Sequence, residues 1–183
     1  TLRKNGITLP ILCLGQADAN LAPLMADYGI TQAVGDFKNA EALSDYAEKS
    51  GKKIRVHIKI DTGMSRTGFL WPDDEKGKIS TANEILKTCR LHGLFAEGMF
   101  THFAAADDDR DFTLLQLKKL LEAEKYLAGM GQNFEILHSA ASSGVTDYPE
   151  AHLNMGRFGL VLYGYASTVT GNVGSSLGLK PVM

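Results

Sequence analysis

The stretch KIRVHIKID, residues 53–61, alternates Val56, Ile58 and Ile60 with His57, Lys59 and Asp61. That is the period of a β-strand. A parallel strand covered on both faces reads apolar throughout, so a polar row on one face needs a wet or functional surface to point at. The lumen of a barrel near its mouth is such a surface. The expected register therefore turns His57, Lys59 and Asp61 into the lumen and Val56, Ile58 and Ile60 towards covering helices.

Outward from this strand, apolar runs of strand length alternate with segments of helical period. Further strands are read at 9–15, 30–35, 94–102, 134–140 and 159–164, and helices at 18–28, 37–50, 79–92 and 112–129. Gly51 and Gly131 stand where two of the helices are expected to stop. Strict alternation implies parallel strands joined by right-handed crossovers, in an open doubly wound sheet or a closed barrel. No GxGxxG or GxxxxGK[ST] follows the first strand, which removes the usual signature of the open sheet. The expectation is α/β: a partial TIM-type (β/α)8 barrel of six parallel strands, where a complete barrel has eight strands in about 250 residues. The barrel domain is read over residues 1–166. The Gly- and Ser-rich run that follows reads as a linker within 167–183, with LKPVM opening a further domain.

The chain has 183 residues, 44% of them hydrophobic, enough for one sizeable core. Its 19 basic and 21 acidic residues are interspersed and give a net charge of −2, which argues against nucleic acid or a membrane surface as partner. Cys13 and Cys89 have neither CxxC nor Cys/His metal spacing and read as reduced core thiols, so a cytoplasmic location and no metal are expected. No segment has the length and apolarity of a membrane span or the pattern of a signal peptide, although the first residue is Thr.

Lys59, Arg66, His102, Ser142 and Arg157 fall at or just beyond the C-terminal ends of predicted strands, where barrel enzymes build their sites. Taken singly, Lys59 reads as a partner of Asp61, Arg66 as a loop charge and His102 as a core histidine. Their common end of the sheet is what argues for a site.

Three segments, HIKIDTGMSRTGF (57–69), GMFTHFAAADD (98–108) and NMGRFGLVLYG (154–164), resemble in order and spacing the motifs of the alanine racemases. The resemblance implies a barrel that binds pyridoxal 5'-phosphate in its mouth, a C-terminal β-domain, and a homodimer with active sites between subunits. It also implies interconversion of L- and D-alanine by a two-base mechanism, supplying D-alanine for cell-wall peptidoglycan. Arg157 matches the arginine facing the pyridine nitrogen; a guanidinium keeps its protons, so that nitrogen stays unprotonated. Ser142 and the backbone of Gly159 and Leu160 match the phosphate cradle, although Ala141-Ser142 stands where the family often has Asn-Ser, and Ser143 or Ser139 is an alternative. Arg66 matches the arginine reaching the cofactor's phenolic oxygen and the substrate carboxylate, and Lys59 a lysine that in many relatives carries a carbamate. His102 matches a histidine linking the arginine to a catalytic tyrosine; His57 and His138 are read as structural.

Two parts of the family's machinery have no match: a VKANAYG-like segment with the lysine that holds the cofactor, and the tyrosine of the β-domain. The chain alone is accordingly expected not to racemise alanine. Alternative readings are a racemase for serine or another amino acid, and a non-catalytic pyridoxal-phosphate carrier, against which the linker-like stretch speaks. A metal-dependent barrel hydrolase would want an HxH pair, where this chain has His57-Ile58-Lys59.

Overall fold

The computed structural model describes residues 1–164 and Gly178. The strands are β1 (Ile11–Cys13), β2 (Ile30–Val34), β3 (Ile54–Asp61), β4 (Phe69–Leu70), β5 (Leu94–Phe100) and β6 (Ile136–His138). The helices are α1 (Ala22–Asp27), α2 (Phe37–Lys49), α3 (Glu75–Cys89), α4 (Arg110–Gly129) and α5 (Ser142–Asp147). The sheet runs β1-β2-β3-β5-β6, all parallel, with the short β4 added beside the end of β3. It curls into a half-barrel.

The register of β3 follows the alternation that its sequence dictates. Val56, Ile58 and Ile60 are fully buried in one cluster with Ala40, Leu43 and Ala47 of α2, Ala82 and Ile85 of α3, and Leu120, Ala123 and Leu127 of α4. His57 and Lys59 lie on the opposite face, against His138 and Thr67. Helix ends are set locally. Asp36, Asp74 and Asp109 cap α2, α3 and α4 by accepting from the amides of Asn39, Gly77 and Phe112. Gly51 and Gly131 close α2 and α4 with positive φ, and the amides of Lys52 and Gln132 reach back to Ala47 and Leu127.

The structure corrects several sequence expectations. Residues 159–164 are not a strand: Leu160–Tyr163 form a 3-10 turn, with the Leu162 and Gly164 amides donating to Gly159 and Val161. Gly159, at φ −129° and ψ −105°, takes the chain off an extended path. The segment 18–28 is a 3-10 turn (Ala19–Leu21) followed by α1, and α3 begins at Glu75, where Asp74 caps it. Neither β4 nor α5 was expected. The boundary placed at residue 166 and the linker after it lie outside the described residues. No helix among those described is long and apolar enough to cross a membrane.

Candidate functional site

The polar row of β3 and the ends of β5 and β6 meet at the C-terminal edge of the sheet. Lys59 is buried there, donating to Thr67 Oγ1 at 2.6 Å with its ammonium 5.9 Å from the Phe100 ring centroid. Burial lowers its pKa from the usual lysine value, the positive charges of Arg66 and Arg157 lower it further, and Asp61 opposes them. The Asp61 carboxylate accepts from the amides of Gly63 and Ser65 at 2.9 and 3.0 Å, which folds the loop that carries Arg66. Gly68 closes that loop at φ 132°, where a Cβ would meet Asp61 N at 2.8 Å. Arg66 is exposed, and its charge also lowers the pKa of His102.

Arg157 is the hub. Nη1 donates to His138 Nδ1 at 2.5 Å, while Nη2 donates to Ser139 O at 2.8 Å, Thr101 O at 3.0 Å and His102 Nδ1 at 3.3 Å. The guanidinium lies 5.3 Å from the Phe100 ring centroid, and Phe100 in turn stacks on His138, with centroids 4.5 Å apart and planes 5° from parallel. The Nε–H and one Nη1–H are engaged by none of these acceptors. Burial brings the guanidinium down to about 10, which leaves it charged near neutral pH. A guanidinium only donates, so both histidines must present unprotonated Nδ1 atoms to it. Burial first, and then the Arg157 charge, push His138 down to about 2 and His102 down to about 4, so both rings are neutral near neutral pH. His102 then carries its proton on Nε2.

Gln116 of α4 ties the loops after β3 and β5 together. Its Nε2 donates to Thr62 Oγ1 at 3.3 Å and His102 O at 3.4 Å, and its Oε1 accepts from Ala104 N at 2.8 Å. Ser142 opens α5, and its Oγ accepts from Gly159 N at 3.0 Å and Val161 N at 3.3 Å. The cluster expected of Ser142, Gly159 and Leu160 therefore assembles around one hydroxyl, but the second amide on it belongs to Val161 rather than Leu160. Ser139 is spent elsewhere, fully buried and donating to Ala151 O at 2.9 Å.

Lys59, His102 and Arg157 thus come together, and Arg66 stands within electrostatic reach of the first two. Sequence reasoning assigned His138 and His57 to packing, whereas here they line up behind Arg157, with His57 Nδ1 2.8 Å from His138 Nε2. Glu97, Thr101 and Gln116 were passed over. His57 had a usable signal in the polar row of β3; His138, which shares a face with Ile136, had none, nor had Gln116, as a polar residue on a helix.

The family model described as "Alanine racemase, N-terminal domain" matches residues 1–167. The alanine racemase of Clostridium perfringens is 41% identical over 165 residues, which span 90% of this chain and 41% of that protein. The solved alanine racemase of Clostridium difficile superposes with a TM-score of 0.87 at 34% identity, over 98% of this chain and 46% of that one. The histidine racemase of Leuconostoc mesenteroides superposes at 0.78 with 27% identity, over 92% of this chain and 44% of that one. The chain spans under half the length of these relatives.

Proposed function

The chain belongs to the alanine racemase family through its N-terminal domain, and from that premise we propose that it forms the cofactor-binding side of a pyridoxal-phosphate-dependent racemase of alanine. The proposal includes a cytoplasmic homodimer whose product serves peptidoglycan synthesis. The observation that carries it is the state of Arg157: a half-buried cation pinned by two neutral histidines and two carbonyls, with donors left over. A donor that holds its proton at working pH suits an unprotonated pyridine nitrogen. When bound, pyridoxal phosphate supplies an electron sink that acidifies the α-carbon of an amino acid, and an unprotonated ring makes that sink a moderate one.

The other residues have matching chemistry. Ser142 Oγ already accepts from two amides, so its own proton is free to donate to a phosphate oxygen, beside the backbone of Gly159 and Leu160. Arg66, on its loop at the rim, offers a planar fork to a carboxylate. His102 receives a hydrogen from Arg157 on Nδ1 and so keeps its Nε2–H to orient a proton-transfer partner. Alanine is preferred to serine or histidine because the matched relatives of higher identity carry that name. The same names disfavour a carrier without turnover.

The test is to titrate the chain with pyridoxal phosphate and follow cofactor absorbance and protein fluorescence, and to assay the longer protein that contains it for conversion of L- to D-alanine. Binding lost in Arg157→Ala and Ser142→Ala, with alanine turned over faster than serine or histidine, supports the proposal. Binding indifferent to both substitutions refutes it.

A further inference from the structure

We infer that Glu97 is a positioning residue for Arg157, acting through His57 and His138 along a one-way line of hydrogen bonds beneath the mouth. The inference rests on the reading that Arg157 faces the cofactor. Its geometric basis is separate. Because Arg157 occupies His138 Nδ1 as a donor, His138 carries its proton on Nε2. That proton points to His57 Nδ1 at 2.8 Å, so His57 in turn carries its proton on Nε2. His57 Nε2 lies 3.4 Å from Glu97 Oε2, and Glu97 Oε1 accepts from Arg55 Nη1 at 2.5 Å. Every donor in the line faces the same way, from the Arg157 cation to the Glu97 anion, through two neutral rings.

The backbone is built for this line. Pairing between β3 and β5 joins Val56 to Ala96 and His57 to Gly98, leaving Glu97 as the extra residue of a β-bulge. The pairing partners Met99 and Ile58 sit in the helix-side core, while Phe100 and Lys59 face the lumen. Glu97 follows Ala96, which packs on the helix side opposite Val56, so alternation already turns Glu97 to the lumen; without the bulge Gly98 would turn to the helices and Met99 to the lumen. With it, Glu97 and Gly98 both face the lumen and Met99 returns to the helix-side core, which is how a bulge re-aims the residues that follow it. Gly98 completes the arrangement: a Cβ there would stand 2.7–2.9 Å from the His57 ring, so only glycine leaves room for that ring between Glu97 and His138. Arg55 and Glu97 also line a cavity of about 560 Å³ at the N-terminal end of the strands, so the line runs from that end up to Arg157.

The tautomers of the two rings test the polarity of the line, and the response of His57 to loss of its acceptor tests the part of Glu97. Nitrogen-15 NMR of histidine-labelled protein is expected to show both rings neutral with the proton on Nε2. Glu97→Leu leaves the His57 Nε2–H without its acceptor and is expected to shift the His57 ring-nitrogen resonances while the tautomer, set by His138, is kept; Glu97→Gln, which keeps an acceptor, is expected to restore them. In the cofactor-loaded longer protein, Glu97→Leu is expected to lower kcat by about 10–100-fold, the usual cost of losing a partner that orients a site ligand. KM should stay within about threefold, and Glu97→Gln should recover most of the rate. A wild-type His57 protonated on Nδ1, or a Glu97→Leu protein with unchanged His57 ring-nitrogen resonances and kcat, overturns the inference. The NMR arm needs no cofactor, so the wild-type and Glu97→Gln proteins test the line even if Glu97→Leu does not fold. Failure of pyridoxal phosphate to bind at Arg157 strikes the functional reading instead.

Discussion

Arg157 meets His138 as a donor-only guanidinium against an acceptor nitrogen, 2.5 Å apart, with the His138 ring held flat against Phe100. Two backbone carbonyls, of Thr101 and Ser139, depend on the same guanidinium. An Arg157→Lys protein keeps the charge but has one nitrogen to serve acceptors that now span two. It is expected to lose about 1–3 kcal/mol of stability, the cost of a buried acceptor left unsatisfied, and to bind pyridoxal phosphate more weakly. Denaturant melts and cofactor titration measure the two effects; a lysine variant equal to wild type in both contradicts the hub role.

The same histidines make stability depend on pH. In the folded chain His138 titrates at about 2 and His102 at about 4, against an ordinary value of 6.5. Between those limits the unfolded chain binds more protons than the folded one, so stability is full above about 6.5 and falls as pH drops towards 4. Replacing His138 by Gln should flatten that slope, whatever it does to stability at neutral pH. The check is the midpoint of urea unfolding, followed from neutral pH down to about 4 in both proteins; parallel curves would count against it.

A third expectation concerns the loop bearing Arg66. Gly68 sits at φ 132° with backbone atoms of Lys59, Ile60 and Asp61 at 2.8–3.0 Å from where a Cβ would be. Gly68→Ala should therefore cost about 1–3 kcal/mol in strain, with the loss read by thermal unfolding. The substitution should also loosen Arg66 from the rim, so that Lys59 and His102 are relieved of its charge and titrate higher, which NMR would detect.

How much of this was legible in the sequence differs from element to element. The β3 register was, because Val56, Ile58 and Ile60 can be buried together only if His57 and Lys59 turn the other way. Residues 159–164 were misread as a strand because Leu160, Val161 and Leu162 form an apolar run of strand length, of which the 3-10 turn buries Val161 and leaves Leu160 and Leu162 exposed. Glu97 was hidden for a different reason. In an unbroken strand it shares a face with Met99, and nothing in LFAEGMF announces the bulge that separates them. The single hint was Gly98, an isolated glycine in a strand pattern. Arg157 was found by resemblance, whereas its dependence on Thr101 and Ser139 carbonyls belongs to tertiary geometry alone.

The last expectation follows from the charges around Lys59. Its ammonium is buried, Arg66 and Arg157 lie close enough to lower its pKa, and Asp61, the one acidic group acting on it, already accepts from Gly63 and Ser65. A larger share of neutral amine makes this lysine a better nucleophile than a surface lysine. Attack of the amine on carbon dioxide forms an N–C bond, releases one proton and leaves a carbamate anion. The new anion sits between two cations instead of a cation repelled by both, and gives Arg66 a fixed acceptor at the rim. The protein equilibrated with carbon-13 bicarbonate is therefore expected to show one slowly exchanging carbamate resonance, absent in Lys59→Ala and lost on acidification, which protonates the amine that the adduct needs. Arg66 should bind cofactor and carboxylate ligands more weakly in Lys59→Ala, with recovery in Lys59→Glu, whose carboxylate supplies an anion without the adduct. A wild-type spectrum free of any such resonance, together with a Lys59→Ala protein that binds these ligands unchanged, would leave Lys59 as a packing residue donating to Thr67.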